Sequence, residues 1–123
     1  MEDKKRWAVK RTDFMSVNTT QEISFIRIVD IVRLEANSNY TFIFLENDKK
    51  ILSSKNLKEF EQVLAPYNFL RIHKSHLVNA YYISHFAKKG DGLLHLKNNY
   101  KLQVSDTGKE KFLSFFKKHS INV

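Results

Sequence analysis

The chain has no cysteine, which removes disulfides, thiolate catalysis and zinc sites built on sulfur. Its three glycines, Gly90, Gly92 and Gly108, do not form a glycine-rich phosphate loop. There is no GxSxG elbow to present a nucleophile and no HExxH pair to hold a catalytic metal. No apolar run approaches the roughly 18 residues that span a bilayer, and the opening "MEDKKRWAVKR" lacks the apolar stretch of a signal peptide. These absences predict a soluble, cytoplasmic protein with no membrane partner. Internal repeats and low-complexity tracts are missing too, and 123 residues suit a single domain.

What is present points to a folded, basic surface. Apolar residues make up 42% and aromatics 13% of the chain, enough to drive folding, so the surplus charge must lie outside a packed core. The formal charge is +8 and the pI is about 9.7, which favours a polyanionic partner. Residues 1–13 hold Lys4, Lys5, Arg6, Lys10 and Arg11 and read as a basic arm or linker remnant. Residues 14–120 read as the domain.

From Phe14 onward, short apolar stretches alternate with turn residues about every ten positions, the rhythm of a β-rich chain. "EISFIRIV" (22–29) and "IVRLEA" (31–36) suit strands. "YTFIFL" (40–45), the pair Asn47-Asp48 and "KKILSS" (49–54) form a predicted hairpin. Leu94, Leu96, Tyr100, Leu102 and Val104 alternate with polar residues across Asn98-Asn99, which predicts a second hairpin with one core face. Two segments read as short helices. In "NLKEFEQVLAPY" (56–67), Asn56 caps, Glu59 closes a capping box, Leu57, Phe60 and Leu64 share a face, and Pro66 stops the run. In "TGKEKFLSFFKKH" (107–119), Thr107 and Glu110 stand in the same relation, with Phe112, Leu113 and Phe116 on one stripe.

Three chemistries compete for the stretch "FLRIHKSHLVNA" (69–80). His73 and His76, with His85 and His95, could ligate a metal, although no acidic cluster accompanies them. Ser75 beside His76 could be a nucleophile and base, but adjacency in sequence is not the required geometry. Nucleic-acid binding uses what remains. Arg71, Lys74 and His76 interleave with Leu70, Ile72, Leu77 and Val78, so basic groups would point outward while apolar ones pack. Asn37 and Asn39 could pair with base edges, and the lysines at 49, 50, 55, 58, 97, 101, 109 and 111 could meet phosphates. Plainer readings stand beside these. Asn37-Ser38-Asn39 could be only a turn, His73 a half-buried brace for its own loop, and Tyr40 and Phe42 core residues.

"FLRIHKSHLVNAYYI" (69–83) resembles the signature of the LytTR DNA-binding domain family, F-x-R-x-H-x-S-x-x-V-N followed by Ile, at Phe69, Arg71, His73, Ser75, Val78, Asn79 and Ile83. "IVRLEANSNYTFIFL", "ILSSKNLKEFEQVL" and "KLQVSDTGKEKFL" are similar to the family's early strands, short helix, and last strand with closing helix, so the resemblance runs from about residue 14 to 117. It implies a mainly β fold, an elongated arrangement of small antiparallel sheets with two short helices, whose loops enter the major groove. It implies sequence-specific binding to double-stranded DNA, as the output domain of a bacterial two-component response regulator controlling transcription. A receiver domain in cis or a partner copy on DNA would accompany it, with no enzymatic activity, cofactor or small-molecule substrate. By resemblance, base contacts fall to the Asn37–Tyr40 loop and to Lys74, backbone contacts to Ser75, Asn56 and Lys109, and His73 shapes the turn. Asp106 stands where the family usually has a base-reading arginine; it is expected to cap the last helix instead. The competing reading is a β-rich single-stranded RNA-binding module that stacks bases on Tyr40, Tyr81 and Tyr82.

Overall fold

Two pairs of neighbouring apolar residues, Ile31-Val32 and Leu77-Val78, are each at most 1% exposed. Successive side chains of a strand point to opposite faces, so these strands must be covered on both sides. The computed structural model, described here for residues 13–123, shows how. The predicted arm falls almost entirely outside the described residues.

Ten strands make three antiparallel sheets. In chain order the strands are β1 (Phe14–Asn18), β2 (Ile23–Arg27), β3 (Ile31–Asn37), β4 (Tyr40–Leu45), β5 (Lys50–Ser53), β6 (Phe69–His73), β7 (His76–Asn79), β8 (Ile83–Phe86), β9 (Leu94–Leu96) and β10 (Lys101–Leu102). Helix α1 (Leu57–Leu64) follows β5, and helix α2 (Asp106–His119) closes the chain. β1 pairs with β2, the central sheet runs β5-β4-β3-β7-β6, and the third sheet runs β10-β9-β8. Both predicted hairpins are present: Phe42 faces Leu52, and Leu102 faces Leu94. Their turns place Asp48 and Asn99 at φ 65° and 68°, a left-handed geometry that Asn and Asp tolerate best after glycine.

The central sheet separates two cores. On one face Leu34, Ile43 and Leu77 pack with Met15, Val17 and Ile26 of the first hairpin and with Leu57, Phe60 and Leu64 of α1. On the other, Val32, Ile72 and Val78 meet Leu94, Leu96 and Leu102 of the third sheet and Phe112 of α2. Arg33 crosses the second junction. Its guanidinium lies between the rings of Phe44 (3.8 Å) and Tyr100 (3.7 Å) and pairs with Glu35 at 2.7 Å. Two cation–π faces and an ion pair offset the burial of a charge that cannot be neutralised. Asn79 also works structurally: its amide donates to Ile31 O (2.9 Å) and accepts from Tyr81 N (3.0 Å), joining the end of β7 to the start of β3.

α1 begins as the sequence predicts. Asn56 accepts from Glu59 N while Glu59 accepts from Asn56 N, a full capping box. The second helix differs from its expectation. Its cap is Ser105, which accepts from Gly108 N at 2.9 Å, so Thr107 and Asp106 both lie inside the first turn. Ser105 takes the role because its N–H and hydroxyl also donate to Ile72 O (3.0 and 3.3 Å), anchoring the helix to β6. The helix spans 14 residues, starting one position before the stretch read from sequence, and Leu113 is 49% exposed instead of sharing the buried stripe of Phe112.

Candidate nucleic-acid interface

Two turns meet at one end of the central sheet. The β3–β4 turn closes between the paired residues Asn37 and Tyr40, leaving Ser38 and Asn39 at its tip. Ser38 takes φ 58°, the positive angle of a first central residue in hairpin turns that follow strand twist. All four side chains, Asn37 through Tyr40, are exposed; Tyr40 is therefore a surface residue and not part of the core. The β6–β7 turn closes between His73 and His76, with Lys74 and Ser75 at its tip. Ala36 N donates to Ser75 O at 2.9 Å, so the turns stand side by side, and Lys74 projects into solvent.

The second turn is held from within. Ser75 N donates to His73 Nδ1 at 3.1 Å, which places the ring proton on Nε2. His73 is thus the half-buried brace that the sequence suggested. Arg71 does not point outward as a basic strand residue was expected to. Its Nε donates to His73 O (2.9 Å), its Nη2 to Lys74 O, and its Nη1 to Glu61 Oε1 of α1 (2.7 Å). One planar guanidinium ties both turn carbonyls to a neighbouring helix, a task suited to its fork of fixed donors.

Two further segments reach the same end. Thr41 pairs with Ser53, and Thr41 Oγ1 donates to Lys55 O at 2.8 Å, which brings Lys55 and Asn56 beside the first turn. The capping box uses the N–H groups of Asn56 and Glu59 and leaves those of Leu57 and Lys58 at the helix mouth. The start of α2 abuts Ile72, one residue before His73, because Gly108 has no side chain: a Cβ there would lie 1.8 Å from Ile72 O. Lys109 is exposed in this first turn, but its ammonium sits 5.2 Å over the Phe86 ring.

His76 faces the sheet. Its Nδ1 is buried without a hydrogen-bond partner, with Glu35 Oε1 3.9 Å away. Burial lowers its pKa below the ordinary 6.5; Glu35 opposes the shift, while Arg33 and His73 add to it. The unfolded chain therefore takes up a proton near pH 6.5 that the folded chain binds only at lower pH. Stability should accordingly be held above that pH and lost as pH falls through it. His76→Gln should flatten this acid-side loss, read as the difference in melting temperature between about pH 7.5 and about pH 5.5.

The other chemistries find no matching geometry. His85 stacks on His95 at 4.4 Å, and His95 pairs with Asp91 at 3.1 Å, in a sheet separate from His73 and His76. Among the described residues no three His, Asp or Glu side chains converge as metal ligands. His76 Nδ1 has no hydrogen-bond partner, Ser75 included.

The family model of the LytTr DNA-binding domain matches residues 21–117. The chain belongs to the LytTR family. A solved LytTr DNA-binding domain, from a Bacillus cereus protein described as a methyl-accepting/DNA response regulator, is similar at 25% identity and a TM-score of 0.65, covering 87% of this chain and 95% of that one. A search of curated proteins returns no match. Membership assigns DNA binding in transcription regulation to the chain and accounts for its mainly β architecture.

In this LytTR domain the eight residues singled out from sequence occupy four segments that converge on one end: Asn37, Asn39 and Tyr40; His73, Lys74 and Ser75; Asn56; and Lys109. Sequence reasoning missed the Arg71–Glu61 tie, whose partners lie ten residues apart on different elements. It named Lys55 and Lys58 among eight lysines that could meet phosphates without placing them at this end. The acid capping box at Asn56 was the available signal, since it fixes where the helix mouth opens.

Proposed function

We propose that the domain binds double-stranded DNA sequence-specifically by placing its two paired turns in the major groove. It would act as the transcription-regulating output domain of a bacterial two-component response regulator. The carrying observation is the bond from Ala36 N to Ser75 O, which sets Asn37–Tyr40 and Lys74-Ser75 next to one another, with Asn37–Tyr40 and Lys74 exposed and Ser75 half-buried. Four adjacent strands span on the order of 14 Å, comparable with a major groove about 12 Å wide. Lys74 would donate to guanine O6 and N7, the amides of Asn37 and Asn39 would read adenine edges, and Ser75, Lys55 and the N–H groups at the mouth of α1 would meet phosphates. Asp106, in the first turn of α2, favours the helix dipole but repels phosphate, so contact there would pass to Lys109 once its ammonium leaves Phe86.

The reading places the protein in the cytoplasm, with a receiver domain in cis or a second copy on DNA as partner. No helix of the described residues is long and apolar enough to cross a membrane. The role is binding, without a reaction step. The RNA reading has less support, because Tyr40 lies at the end where β7 begins and Tyr81 and Tyr82 follow the end where it finishes. Tyr82 is moreover half-buried, its hydroxyl donating to Val29 O at 3.2 Å. These rings do not form one stacking platform.

Selection of bound duplexes from a random pool, at fixed salt, tests the reading. Lys74→Ala should change the selected sequence and weaken its binding by roughly 1–3 kcal/mol. Lys109→Ala should weaken all duplexes alike and reduce the salt slope by about 0.9. An unaltered preference in Lys74→Ala would displace the β6–β7 turn from the interface.

A further inference from the structure

The turn that presents Lys74 is closed by two imidazoles, and the fold uses both in their neutral form. His73 and His76 are the paired residues that flank the tip of the β6–β7 hairpin, their ring centroids 5.3 Å apart. His73 accepts from Ser75 N through Nδ1 at 3.1 Å. A second proton on this ring would occupy Nδ1 itself, since both nitrogens of an imidazolium are donors, and the bond to Ser75 N–H would be lost. His76 keeps its Nδ1 buried without a hydrogen-bond partner. A proton there finds Glu35 Oε1 at 3.9 Å, but Arg33 Nη1 already holds that oxygen at 2.7 Å.

The groups packed around the pair favour this neutral state. Burial works against a proton on His76, Arg33 on β3 and His73 on β6 add to that, and Glu35 on β3 opposes them. On the other side Arg71 donates from Nε to His73 O, its charge met in part by Glu61 of α1 at 2.7 Å. A proton on either ring therefore has to displace something. On His73 it releases Ser75 N–H, loosening the residue whose carbonyl accepts from Ala36 N and holds the two turns together. On His76 it competes with Arg33 for Glu35, and Glu35 and His76 are themselves paired across β3 and β7, next to both turns.

We propose that His73 and His76 form an acid-sensitive latch on DNA reading: with both rings neutral the Asn37–Tyr40 and Lys74-Ser75 turns keep their alignment, and a proton on either ring releases it. The inference rests on the DNA-binding reading and adds to it a loss of sequence discrimination on mild acidification. Overall affinity is a poor gauge of the latch, because protonated imidazoles also attract phosphate. The ratio of cognate to unrelated duplex binding removes that shared contribution.

The test measures that ratio for the intact chain at fixed salt, from about pH 7.5 down to the lowest pH, near about 5.5, at which circular dichroism shows the fold intact, an interval in which histidine is the side chain that ordinarily changes charge. The ratio should fall roughly 2- to 10-fold, the worth of one neutral hydrogen bond. His73→Asn, whose amide oxygen can accept from Ser75 N in place of Nδ1, combined with His76→Gln, should hold the ratio constant, and each substitution alone should shrink the fall. His85→Gln, in the third sheet, should leave the fall as it is in the parent. A parent ratio that does not change with pH, or a fall that persists in the double variant, would overturn the proposal while leaving the DNA-binding reading in place. A parent that selects no sequence even at the upper pH would remove that reading and the latch with it, so the two failures are distinguishable.

Discussion

Gly108→Ala is expected to destabilise the domain by about 3 kcal/mol or more, a fall in melting temperature of roughly 10–15 °C. Helix propensity alone argues the opposite, since alanine is favoured over glycine by about 1 kcal/mol inside a helix. Contact decides the sign. The added Cβ would sit 1.8 Å from the carbonyl oxygen of Ile72, and neither a Cβ nor a strand carbonyl has a rotamer to escape by. α2 would have to withdraw from β6, giving up the bonds from Ser105 to Ile72 O and lifting Phe112, which is 3% exposed, out of the second core. Thermal unfolding measures the effect. A melting temperature within a degree or two of the parent would mean that the helix is not seated on β6 as described.

Arg71→Ala is expected to cost the cognate duplex roughly 1.5–3 kcal/mol of binding, the range for hydrogen bonds made by a charged group, while binding to unrelated duplexes stays nearly unchanged. The guanidinium is spent on His73 O, Lys74 O and Glu61, so it contributes shape to the turn and no phosphate contact. The salt dependence separates the two roles. A phosphate-binding arginine would reduce the log–log slope by about 0.9 when removed; a turn-shaping one leaves the slope alone and blurs sequence discrimination. Arg71→Lys should fare little better than alanine, because one ammonium cannot reach three acceptors with the geometry of the fork. A reduced slope with sequence preference intact would assign Arg71 to the DNA backbone instead.

Much of this was legible in the residues, for local reasons. The capping box at Asn56 and Glu59, the alternation around Asn98-Asn99, and the Asn47-Asp48 turn all act within a few positions, and each formed where expected. The convergence of Asn37–Tyr40 with Lys74 was implied by the family resemblance and depends on β3 pairing with β7 across some forty residues, which no local pattern specifies. Where expectation failed, a long-range contact had intervened. Ser105 displaced Thr107 and Asp106 as the cap because Ile72 O is there to receive it. Arg71 turned inward because Glu61 waits on α1. Of the two readings of Tyr40, core residue or part of the Asn37–Tyr40 contact loop, its 49% exposure removes the first.

The central sheet is a party wall: each of its faces belongs to a different core, and the strands that carry the paired turns contribute to both. A void opened on either side is therefore felt by the same few strands. Loosening of packing as far away as Met15 or Phe112 would reach the tips as a small loss of alignment, and errors in choosing a DNA site should surface at milder perturbation than any visible melting.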